Sequence, residues 1–130
     1  KEESVTEQKN SLAVCLDNIL RHAGITRNTE YDLAQGKTAT TILSENMTGV
    51  QVLDLSGCTL DAVLYYVNQD IPVLAILDDG EAVLVTGFNE FNVVIMEPST
   101  GKLYKKGMND ATAWFAENGN HFITYMRTEN

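Results

Sequence analysis

Two cysteines, two histidines and a set of carboxylates are the side chains of this 130-residue chain best suited to chemistry. Cys15, Cys58, His22 and His121 are the types that thiol catalysis pairs, a nucleophile with an imidazole base. Cys15 shares an apolar helical face with Leu12, Leu16 and Ile19, which points it into a core. Cys58 follows Gly57 and precedes Thr59, near a helix N-terminus, where a thiol can be activated or can pack beneath the helix. His22 closes the first helix and suits the negative end of its dipole. His121 opens the last strand. Asp78, Asp79 and Glu81 crowd one hairpin, a pattern of solvated turns or of a small site for a cation or a basic peptide end. The cluster lacks the ligand spacing of a calcium loop. Phe88 and Phe91 flank a loop and could grip a ligand or cover a sheet edge.

The elements that must position these groups follow from periodicity. Residues 2 to 23 have helical spacing, with Val5, Leu12, Cys15, Leu16, Ile19 and Leu20 on one face and Gly24 as the stop. Short helices are predicted over 28 to 35, capped by Asn28 or Thr29, and after Thr38, closing near Gly49. Gln51 to Leu55 reads as a short strand. Cys58 to Asn68 is amphipathic, capped by Thr59, with Leu60, Val63, Leu64 and Val67 inward. Pro72 ends any helix and opens a strand over Val73 to Leu77. Asp79-Gly80 marks a hairpin. Ala82 to Thr86 and Val93 to Met96 are apolar, branched central strands. Lys102 to Lys105 is a further strand. Met108 to Asn118 is a helix capped by Asn109 and Asp110 with Trp114 and Phe115 inward, and Phe122 to Met126 is the last strand. Helices first and a meander after give an α+β single domain over residues 1–130, its helices packed on one side of an antiparallel sheet.

In this order of elements the sequence resembles the C39-like branch of the papain-like cysteine peptidases, over nearly its whole length. The resemblance rests on the first helix, the Thr-rich short helix, the segment IPVLAIL, the hairpin and the strand ending in Glu97-Pro98-Ser99-Thr100-Gly101. The family places a Gly-His pair after the hairpin and an Asp-Pro pair after the next strand. Here Gly80-Glu81 and Glu97-Pro98 occupy those places. The family's nucleophile opens the first helix, which puts Ser11 there, after Asn10 and before Leu12, and leaves Cys15 one turn inside. The family also has an oxyanion-stabilising Gln upstream; Gln8 is upstream but close. The resemblance therefore implies a degenerate triad at Ser11, Glu81 and Glu97, with Gln8, Asp79, Glu81 and Phe88 lining a peptide cleft. A carboxylate cannot readily take a proton from the nucleophile and return it to the leaving amine, and a second carboxylate beside it only raises one pKa. The expected function is a non-catalytic, peptide-binding or scaffold pseudopeptidase. The alternative is an active C39-like cysteine peptidase using Cys15 or Cys58, with His121 as partner. The family implies a bacterial, extracellular or cell-surface setting and no cofactor.

Charge and composition narrow the rest. A net charge of -9 argues against nucleic acid, whose phosphates call for a basic face. No apolar run approaches the ~18 residues of a membrane span, so no membrane insertion of this segment is expected. Two scattered cysteines and two histidines have no zinc spacing, and no metal is expected; a single Cys15–Cys58 bridge stays open if the domain is exported. The first residue is Lys, so the chain reads as a piece or a processed form of a longer protein.

Overall fold

The computed structural model describes residues 10–128. Helix α1 spans Ser11–His22 and starts where Asn10 caps it, its Oδ1 accepting from the backbone N–H groups of Leu12 and Ala13 at 2.9 and 3.3 Å. The helix expected from residue 2 thus begins at Ser11; residues 2–9 lie outside the described residues. Helices α2 (Thr29–Ala34) and α3 (Ala39–Asn46) follow, capped by Asn28 and Thr38 as their side chains predict. Strand β1 (Val50–Asp54), helix α4 (Leu60–Val67) with its Thr59 cap, and strands β2 (Val73–Ile76), β3 (Ala82–Phe88), β4 (Asn92–Glu97) and β5 (Lys102–Gly107) come next. Helix α5 (Met108–Glu117) and strand β6 (His121–Arg127) complete the order.

Helix α5 departs from its expected cap. Gly107 is the N-cap residue and no side chain bonds the helix start, because β5 runs into α5 without a loop. The Met108 N–H instead donates to the Phe91 carbonyl at 2.8 Å. Asn109 and Asp110 sit inside the first turn, where Asp110 still suits the helix dipole.

Among the described residues the strands form one sheet in the order β1-β6-β2-β3-β4-β5, and every neighbouring pair is antiparallel. Strand side chains alternate between faces, and both faces are covered. On one, Cys15, Leu16, Ile19 and Leu20 of α1 and Ile42 and Leu43 of α3 meet Leu74, Ala82, Leu84, Met96 and Ile123. On the other, Leu60, Val63 and Val67 of α4 and Ala111 and Phe115 of α5 meet Val73, Ala75, Val85, Ile95 and Phe122. The N-terminal helices do pack on an antiparallel sheet, but the expectation that helices cover a single side is corrected: α4 and α5 cover the other. The physical reason lies in β2 and β3. Val73 to Ala75 and Ala82 to Val85 are buried at every position, which requires apolar cover above and below.

Trp114 is half-buried beside the buried Phe115, their rings 5.0 Å apart, with the Lys106 ammonium 4.8 Å from the indole. No helix among the described residues is long and apolar enough to cross a membrane.

Candidate functional site

Helix α1 begins against the start of β3. Pairing of β3 with β4 ends at Leu84–Met96, so the Ala82 N–H lies beyond that ladder. It donates to Ser11 Oγ at 2.9 Å, a bond that joins residues 71 positions apart. Position 11 therefore sits beside the Glu81–Ala82 peptide. The structure brings Ser11 and the backbone of position 81 together without any appeal to the resemblance.

Around Ser11 the other site residues distribute unevenly. Glu81 is exposed; its N–H donates to Asp79 Oδ1 at 2.9 Å and its carbonyl accepts the Leu77 N–H at 2.8 Å. Asp79 is thus a turn-forming residue of the β2–β3 hairpin, with Gly80 at φ 87° supplying the left-handed backbone the turn needs. Glu97, half-buried at the end of β4, accepts the Ser99 N–H at Oε1, 3.1 Å, and so stabilises its own turn. Its charge is nonetheless felt by Cys15. Burial pushes the Cys15 thiol up to about 12, and the Glu97 carboxylate adds to the rise. Phe88 lies at the other end of β3, six residues and about 20 Å along the strand from Ala82. The structure does not bring it to this cluster. Gln8 lies outside the described residues.

The alternative thiol sites are separated by the fold. Cys15 is fully buried in the layer beneath α1, whereas Cys58 packs at the edge of the layer beneath α4, across the sheet. Both are free thiols, so the Cys15–Cys58 bridge does not form. Neither imidazole hydrogen-bonds Ser11 or a cysteine. His22 Nε2 lies 3.0 Å from the Asp70 carbonyl oxygen at the far end of α1. His121 opens β6 opposite Ile76, and its nearness helps hold the Asp54 carboxyl below the usual carboxylate range, after the stronger bonds from Ser56. Among the described residues no three His, Cys, Asp or Glu side chains converge as a metal site would.

No family model and no curated protein matches this sequence. Among solved structures the chain is similar to the crystal structure of a Bacillus anthracis protein assigned to the C39-like peptidases. The TM-score is 0.76 at 14% identity, over 95% of this chain and 91% of that one. The fold is that of a C39-like peptidase. At so low an identity the likeness concerns the C39-like backbone alone, and the chemistry has to be read from this chain's own residues. Signals that sequence reasoning could have used for the site were few: Asn10 as a cap marks the start of α1, and with it position 11.

Proposed function

We propose that this domain is a catalytically degenerate C39-like module, a pseudopeptidase that binds peptide or serves as a scaffold, in an exported or cell-surface bacterial protein. The observation that carries the reading is the bond from the Ala82 N–H to Ser11 Oγ. It lays the Ser11 hydroxyl beside the backbone that follows Glu81, and the resemblance to the C39-like family reads these two positions as nucleophile and base, held here by a serine and a glutamate. A serine hydroxyl needs a base to take its proton and give it on to the leaving group. Here the hydroxyl oxygen terminates a strand instead. The peptide ligand and the cell-surface setting rest on the resemblance to the C39-like family, which works on peptides in that setting.

Of the competing readings, a thiol peptidase acting through Cys15 is disfavoured by the burial of that thiol and by its raised pKa, which leaves it protonated and poorly nucleophilic. One experiment separates the two. Native protein and the Ser11→Cys/Glu81→His double variant are treated briefly with iodoacetamide at neutral pH and analysed by intact mass with peptide mapping. Native protein should show no labelling of Cys15 and only ordinary, slow labelling of Cys58. The double variant should gain one fast-reacting thiol at position 11. Rapid single labelling of the native protein would overturn the pseudopeptidase reading. No gain in the variant would show that the C39-like site geometry is not retained.

A further inference from the structure

A cavity of about 620 Å³ opens at the other end of α1, between the C-terminus of that helix, the α3–β1 connection and the end of β6. His22 and Arg127 line it together with Thr48 and Tyr125, while Ile25, Met47 and Val50 supply apolar surface. Helix α1 puts roughly 16 Å between this cavity and Ser11, so it is separate from the cluster described above.

Its charge is the unusual feature. The chain has 18 acidic and 9 basic residues, yet among the described residues no acidic side chain lines this cavity, and its lining includes a guanidinium and an imidazole. Both are held by one turn. The Asp70 carbonyl lies 3.0 Å from His22 Nε2, and the Gln69 carbonyl accepts a longer 3.4 Å bond from Arg127 Nη1. Asp70 has a left-handed φ of 63° in this turn after α4. Residues 22 and 127 are thus fixed at one wall by a third segment, an arrangement that orders two side chains before any ligand arrives. The Asp70 carboxylate, 3.7 Å from His22 and exposed, offsets part of the positive charge. The Arg127 guanidinium supplies one full positive charge, the complement of a single carboxylate.

We propose that this cavity binds a small monocarboxylate with a compact apolar group, of the size of an N-acylated amino acid. The carboxylate meets Arg127, whose fork matches it in geometry. The polar remainder meets His22 and Thr48, and the side chain lies on Ile25, Met47 and Val50. The inference is independent of the pseudopeptidase reading.

The test is a ¹H–¹⁵N correlation titration with N-acetyl-leucine and, in parallel, with its uncharged amide. The acid should move the backbone signals of Ala23, Thr48, Gly49 and Arg127 in a saturable way. It should bind roughly tenfold more tightly than the amide, the worth of one charge-assisted hydrogen bond. Arg127→Gln, at an exposed position late in β6, should remove that difference. The proposal is overturned by equal binding of acid and amide, by shifts that map elsewhere, or by no saturable shift up to about 10 mM. Tighter binding of inorganic phosphate than of the acid would also overturn the monoanion assignment. The acid–amide comparison needs no variant, so it decides even if Arg127→Gln disturbs the fold.

Discussion

One turn of α1 separates Ser11 from Cys15, and the two side chains occupy opposite surroundings. Ser11 stands at the helix start, half-buried, with its oxygen engaged by the Ala82 N–H. Cys15 faces the sheet at 0% exposure. Its pKa rises from an ordinary 9.0 to about 12, first through burial and then through Glu97. The sign of the resulting pH dependence is fixed. Between those two values the unfolded chain has lost the thiol proton while the native protein keeps it, so native stability falls as pH rises through that window. Tyr104 and Tyr125, both raised chiefly by burial, act in the same direction. Urea unfolding of native protein and of Cys15→Ala, followed from pH 8 upward, should show a steeper alkaline decline for the native protein. Parallel declines would mean that Cys15 is not desolvated as described. The burial of Cys15 was legible from its spacing with Leu12, Leu16 and Ile19. The role of Ser11 as a strand-end acceptor was not, because its partner lies 71 residues away and only the fold selects it.

At the scale of the element, α1 and α2 are joined by a buried polar contact. Asp17 is 6% exposed in the middle of α1 and accepts from the Thr29 N–H at 2.8 Å and the Thr29 hydroxyl at 2.7 Å. Thr29 is the first residue of α2, so a side chain from one helix satisfies an N–H that the next helix start leaves unpaired. Removing it strands a buried donor. Asp17→Ala should cost about 1–3 kcal/mol in chemical unfolding, and Asp17→Asn, which keeps an acceptor oxygen, should cost less. Equal losses would show that the hydrogen bond is not what matters. Local caps such as Asn28, Thr38 and Thr59 could be read from the sequence because their partners are two or three residues away. The start of α5 could not. Its Gly107 N-cap and the Met108–Phe91 bond depend on β5 feeding directly into the helix, and no residue near 107 announces that.

Across the whole molecule the sheet divides the apolar interior in two. Leu16 belongs to the layer under α1 and Phe115 to the layer under α4 and α5. Leu16→Ala should cost about 2–5 kcal/mol and Phe115→Ala about 3–5 kcal/mol. Because strands stand between them, the two losses should add in the double variant. A coupling above about 0.5 kcal/mol in urea unfolding would show that the layers communicate through the sheet. The two-sided cover was foreshadowed in the sequence by the unbroken apolar runs Val73–Ala75 and Ala82–Val85. The placing of β6 between β1 and β2 was not, since hydrophobic patterns carry no information about which strands are neighbours. That placing governs how the molecule can be made. Phe122 and Ile123 of β6 enter opposite layers, and among the described residues β1 has no other strand beside it. A ribosome that has delivered everything through α5 has still produced a sheet with a gap beside one edge, its first strand separated from the other four and two interiors open to water. The domain is therefore committed to folding late, after residue 127 has emerged, and a nascent chain halted before β6 is a substrate for chaperones and proteases rather than a smaller version of the protein.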